Sequence, residues 1–292
     1  MPNLQWPDIL IRDIARRRVI PVLGAGVSKH AKSPSAKQPP LWKDFLLDAA
    51  KSMPSQENTE HIYKAIADGD LLHACEWIKN RLDEHWIPYI RAQFISPKYL
   101  AGELHETIAM LDARIVFSLN FDEIYETKSR EIYENSQYVK NYHDTDICEF
   151  LRGDERYIVK IHGNLASPSR MIFTQQEYSR ARVANSAFYS AFDAALMTHT
   201  FLFIGCGYSD PDLNLLLENQ SFNNIANDTP HYFLTSDEMS QDLQMSLRKN
   251  RNLKILRYDK VDDNHSGLIL AMNDLLTKVN DYRDDLADTR NW

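Results

Sequence analysis

Cysteine is scarce in this chain, and what there is forms no pattern. Cys75, Cys148 and Cys206 are scattered through 292 residues with no C-x-x-C pair. That argues against a disulfide framework and against a cysteine-ligated zinc site. Basic charge is also in deficit, with 33 Lys and Arg against 41 Asp and Glu, a formal net charge of −8. An acidic chain exerts no general pull on nucleic acid or anionic lipid, so direct binding to either is not expected. There is still room for a small basic pocket that takes a phosphate. No apolar run approaches the roughly 18 to 20 residues of a membrane span. The N-terminal "MPNLQWPDILIRDIARRR" carries charges throughout and lacks a signal-peptide core,. A reducing cytoplasm is the expected setting. No internal repeat is visible, and low-complexity sequence is limited to the polar, Pro-rich loop 32–40.

What the chain does have is six short apolar runs alternating with helical spacing. The runs are "VIPVLG" (19–24), "RIVFSLNFD" (114–122), "ERYIVKIHGNL" (155–165), the start of "HTFLFIGCGYSDPDLN" (199–214), "HYFLTS" (231–236) and "LKILRYD" (253–259). Helical patterns cover 8–18, 41–53, 58–97, 105–113, 175–198 and 267–279. Short buried strands alternating with helices predict an α/β fold, a Rossmann-like parallel sheet of about six strands with helices on both faces. A smaller helical module is expected at about 41–113, and a charged tail, frayed or partner-bound, at about 280–292, within a single domain spanning 1–292. Trp77 and Trp86 in the module either fill its core or form an interface.

Ligands of such sheets bind beyond the carboxyl ends of the strands. Gly24, Asn120, His162 and Gly205 all fall at those ends. Gly24-Ala25-Gly26 offers backbone N–H groups without side-chain bulk ahead of a helix, a cradle for pyrophosphate, and Ser28 could add a hydroxyl donor. A plain tight turn is the alternative. The third glycine of a dehydrogenase fingerprint is missing, and Asp44 sits in a helical segment rather than at the next strand end,. Asn120 and Asp122 lie two apart on an extended backbone, so their side chains face one way and can converge on a ligand. Capping of the next helix is the competing explanation. His162 ends a buried run and is placed to take a proton. Gly205 and Gly207, with Ser209 behind them, form a second glycine turn. Asp210-Pro211 can cap the helix that follows.

The four motifs "GAGVS", "SLNFDEIYE", "KIHGNL" and "FIGCGYSDPDLN", in this order, resemble the sirtuin-like superfamily, and specifically its bacterial branch of NAD-cleaving defence proteins. The resemblance runs from about Val19 to Tyr258. It implies that Gly24, Ala25, Gly26 and Ser28 hold the phosphates of NAD, that Asn120 and His162 are the catalytic pair, and that Asp122 lines the nicotinamide and ribose end. Gly205, Gly207 and Ser209 match the turn under the adenosine half. Protein deacylases of the superfamily carry a four-cysteine zinc module after the catalytic His-Gly, whereas residues 164–204 here contain no cysteine. "PPLWKDFLL" stands where they have a G-I-P-D-F-R-like segment.

The implied activity is an NAD hydrolase that releases nicotinamide and ADP-ribose, with His162 as base and Asn120 positioning ribose or water. An NAD-dependent deacylase or ADP-ribosyltransferase is one alternative. A non-catalytic nucleotide sensor that drives assembly is another. Because unrestrained NAD hydrolysis would kill its host, and no second sensor domain is recognisable, control is expected from a homo-oligomer and a second protein encoded nearby, a regulator or ATPase. NAD is the only small-molecule partner expected, as substrate, and no metal.

Overall fold

The computed structural model describes residues 4–208, 217 and 229–289. The strands are β1 (Val19–Leu23), β2 (Ile115–Ser118), β3 (Gln137–Asn141), β4 (Arg156–Lys160), β5 (Thr200–Ile204), β6 (His231–Thr235) and β7 (Leu253–Arg257). They form one parallel sheet in the order β3-β4-β2-β1-β5-β6-β7. The chain leaves β1 for one half of the sheet and later returns beside it to build the other. The switch point therefore lies between β1 and β5. Six of the seven strands coincide with the six apolar runs. The seventh, β3, reads "QYVKN" and is only partly buried. As an edge strand it has one neighbour, so it needs no continuous apolar run and gives little sequence signal.

Alternation along the strands builds a core on each face. Val22, Phe117, Val159, Phe201 and Phe203 point to one side. There they meet α9 (Gln175–Ala184), α10 (Ser186–Thr198) and α11 (Gln241–Arg251). Leu23, Val116, Ile158, Leu202 and Ile204 point to the other. They pack on α1 (Asp8–Ala15), α7 (Glu103–Met110), α8 (Ile124–Ile132) and α12 (Ser266–Thr289).

The expected helical stretch 58–97 resolves into α4 (Glu60–Asp68), α5 (Leu71–Leu82) and α6 (Trp86–Phe94), preceded by α3 (Trp42–Lys51). These four share a core of their own, into which Phe121, Met171 and Phe173 reach from the sheet side. Trp86 is buried in that core, with Phe45 and Phe173 edge-on against its ring. Trp77 sits between His61 and His73. Helix α7 belongs instead with α8 and α12 on the sheet. Residues 280–289, expected as a frayed tail, continue α12. Leu286 is buried, and Arg283 donates to the carbonyls of Ala15 and Leu111. Among the described residues, no helix is long and apolar enough to cross a membrane.

Candidate active site

Register is what assembles the site. Leu23 pairs with both Ser118 and Ile204, and Ser118 pairs with Lys160. The four central strands thus end on one line across the sheet. Gly24, Asn120, His162 and Gly205 all leave it on the same side, as the sequence predicts.

The two glycine turns meet each other. Gly24 N–H donates to Ile204 O at 3.0 Å, and Gly26 N–H to Gly205 O at 2.8 Å. A Cβ on Gly24 would stand 2.5 Å from Gly205 O, and Gly205 itself has φ +65°. Side-chain bulk at either position would separate β1 from β5. Close backbone approach is thus a structural reason for these glycines, whatever else they do. Of the turn's N–H groups, those of Gly24 and Gly26 are already taken, and Gly24 and Ala25 line the cleft beside them. Gly207 follows at the end of the described turn, and Ser209, like Asp210 and Pro211, lies outside the described residues.

That cleft measures about 680 Å³ counted out to its open mouth. Its polar wall is Ser28, Asn120, Asp122, His162 and Tyr178, and Trp42, Phe45, Phe94, Phe121 and Phe173 supply the aromatic part of the rest. Asp122 is the one carboxylate among its described lining residues, and no Lys or Arg is among them.

Each polar residue is fixed by a specific partner. Asp122 is buried and does two things. Its Oδ1 accepts the Ile124 N–H at 3.1 Å, capping α8, and its Oδ2 accepts the Ser28 hydroxyl at 2.7 Å. The residue thus serves the start of α8 while also standing in the cleft wall. Ser28, expected as a donor to phosphate, has its one proton on Asp122. Asn120 does not cap: its Nδ2 donates to Gly24 O at 3.0 Å, tying the β2 end to the β1 turn.

His162 is 2% exposed. Its Nδ1 lies 3.1 Å from Leu119 O, and its Nε2 lies 2.9 Å from the Tyr178 hydroxyl. A carbonyl can only accept, so Nδ1 carries a proton, and in the neutral form of the ring the lone pair falls at Nε2.

Two supports were not singled out from sequence. Lys160, at the end of β4, is 1% exposed and donates to Glu126 Oε1 at 2.6 Å and to the Asp122 carbonyl at 2.5 Å. Burial pushes Glu126 above the ordinary carboxylate range, against the pull of the Lys160 charge. The signal was a lone cation inside the apolar run "YIVKIHG". A buried cation needs an anionic partner, here Glu126 of "DEIYE". The second support is Tyr178. Its helix begins at a capping box, with Thr174 Oγ1 accepting Glu177 N–H at 3.3 Å and Glu177 Oε2 accepting Thr174 N–H at 3.1 Å. "TQQE" announces that helix start; which residue follows into the cleft is decided only by packing.

Residues 114–256 match the SIR2-like domain. The match covers 143 of the 292 residues. The match runs from the start of β2 to β7, so it contains Asn120, Asp122 and His162. The chain is homologous to proteins named NAD(+) hydrolase ThsA. It is 30% identical to the one from Enterococcus faecium over 132 residues, 45% of this chain and 27% of that protein. It is 24% identical to the Acinetobacter baumannii protein over 230 residues, 77% of this chain and 44% of that one. The Bacillus cereus protein is 24% identical over 214 residues, 71% and 43%. The chain thus spans less than half the length of these curated relatives. Among the described residues, no group of three or more His, Cys, Asp and Glu could hold a metal ion.

Proposed function

We propose that this chain hydrolyses NAD at the bond between nicotinamide and ribose, releasing nicotinamide and ADP-ribose. The observation that carries the reading is the convergence of His162, Asn120 and Asp122 in one aromatic cleft whose described lining holds a carboxylate and no cationic side chain. The nicotinamide of NAD is a cation, and the sugar becomes cation-like as the bond breaks. Aromatic faces and a single carboxylate favour both species. His162 takes a proton from the attacking water, and Asn120 holds ribose or water in line. Asp122 lies at the nicotinamide and ribose end. By the resemblance, Gly24, Ala25, Gly26 and Ser28 serve the phosphates, and Gly205 and Gly207, with Ser209 outside the described residues, serve the adenosine half. The likeness to the ThsA hydrolases supports the reaction class.

The protein acts in the cytoplasm as an NAD-depleting effector against phage. It is a homo-oligomer held in check by a second protein encoded nearby, a regulator or ATPase, because constitutive NAD loss would empty its own cell. No membrane or nucleic acid takes part.

The test is to incubate purified protein with NAD and separate the products, with His162→Ala and Asn120→Ala alongside. Nicotinamide and ADP-ribose should appear in equal amounts. His162→Ala should lose about 10²- to 10⁴-fold of the rate. Asn120→Ala should lose more in turnover than in KM. NAD consumption that requires an added acyl-lysine peptide or protein acceptor would replace this reading with a transferase.

A further inference from the structure

Tyr178 Oη occupies the one nitrogen through which His162 can act. Nδ1 is tied to Leu119 O, so only Nε2 is left to take a proton, and Nε2 is the atom 2.9 Å from the Tyr178 hydroxyl. Both side chains are buried and both line the cleft. A base at His162 therefore works either after Tyr178 has been pushed aside or through it. Displacement is opposed by how Tyr178 is anchored. It follows directly on Glu177, whose carboxylate accepts the N–H groups of both Phe173 and Thr174, at 2.9 and 3.1 Å, and pairs with Lys79 from the helical module. Its ring stands edge-on to the imidazole, at 84° with centroids 5.4 Å apart.

We propose that Tyr178 relays the proton between the reacting water and His162, an inference that rests on the NAD-hydrolase reading above. A hydroxyl can donate one hydrogen bond while accepting others. As the water oxygen forms its bond to the anomeric carbon, the water O–H breaks and its proton passes to Tyr178 Oη. The phenol's own proton passes in the same motion to His162 Nε2, and no free phenolate forms. The bond between the anomeric carbon and the pyridinium nitrogen breaks with its electron pair on nitrogen, which leaves as neutral nicotinamide. His162, now imidazolium with both nitrogens donating, returns its proton to solvent.

Tyr178→Phe keeps the ring and removes only the hydroxyl. The relay requires it to lower kcat about 100-fold, to leave the affinity for a non-cleavable carbocyclic NAD analogue within about twofold of wild type, and to abolish the two-proton solvent isotope inventory of the wild type. Turnover equal to or above wild type, or tighter analogue binding, means that Tyr178 merely blocks Nε2, and overturns the relay. ¹⁵N spectra of the His162 imidazole in the free protein judge the couple without any NAD chemistry. They should show the Nδ1–H tautomer, with an Nε2 signal that moves to that of an unbonded acceptor in Tyr178→Phe. An Nε2–H tautomer overturns the proposal. Wild-type protein that releases no nicotinamide but gives the expected spectra overturns the NAD reading, and with it water as the proton source, while the Tyr178–His162 couple stands.

Discussion

The two ends of the sheet use polar side chains in opposite ways. At the amino end, polar groups close on one another or on the backbone. Asp112 lies between the guanidinium groups of Arg17 and Arg156. Arg114 donates to the carbonyls of Phe150 and Gly153, and Thr200 Oγ1 donates to Asp13 at 3.2 Å. His231 Nδ1 accepts the Phe201 N–H at 3.1 Å. At the carboxyl end the bonds instead aim side chains. Gly24 O orients Asn120, Ser28 and Ile124 hold Asp122, and Leu119 O sets the tautomer of His162. The same secondary structure thus has one end built to hold and one end built to present. The reason is geometric: in a parallel sheet every carboxyl strand end opens on the same side, where the loops are not needed to close the core.

Breaking the support under the presenting end should have the largest effect on stability. Lys160→Met leaves Glu126 buried and unpaired, and should cost about 3 to 5 kcal/mol in urea unfolding. Adding Glu126→Leu should restore most of that stability. Turnover should stay low, because the Asp122 carbonyl has lost its donor. A double variant as unstable as the single one would mean that packing, not charge, is what matters there.

Acid should weaken both ends alike. Burial pushes His105, at the carboxyl end, and His231, at the amino end, down from 6.5 to about 4. The folded state keeps both neutral, while the unfolded chain protonates them below about 6.5. Stability is therefore full above pH 6.5 and is lost as pH falls toward 4. The loss at pH 5 is about 2 kcal/mol for each histidine. Urea midpoints measured from pH 7 to 5 should fall accordingly, and His231→Gln should flatten the slope by about half. An unchanged midpoint across that range would contradict the assignment of both as neutral.

The smallest effect sharpens the contrast. Burial raises the Asp112 carboxyl, but Arg156 and Arg17 outweigh it and hold the group below its ordinary value. Asp112→Asn should cost about 1 kcal/mol of stability and leave nicotinamide release unchanged. A fall in turnover without loss of stability would erase the distinction between the ends.

Much of this was legible from the sequence because burial on both faces of a parallel strand imposes a continuous apolar run. Six such runs stand out, and Gly24, Asn120, Asp122, His162 and Gly205 lie at their carboxyl ends. The edge strand β3 escaped because its outer side has no neighbour to demand apolar residues. Local pattern also announces the α9 capping box and the oddity of Lys160 in its apolar run. What that pattern cannot carry is who meets whom across long separations. Glu126 faces Lys160, the Ser28 hydroxyl donates a hydrogen bond to Asp122, Gly24 and Gly26 press against Gly205, and Tyr178 seats itself on His162. These pairings come from strand register and from the docking of α9 and the helical module. Hydrogen bonding depends on distances of a few tenths of an ångström, and only the packed sheet sets those. Strand composition, by contrast, answers to burial alone, which each residue type expresses by itself.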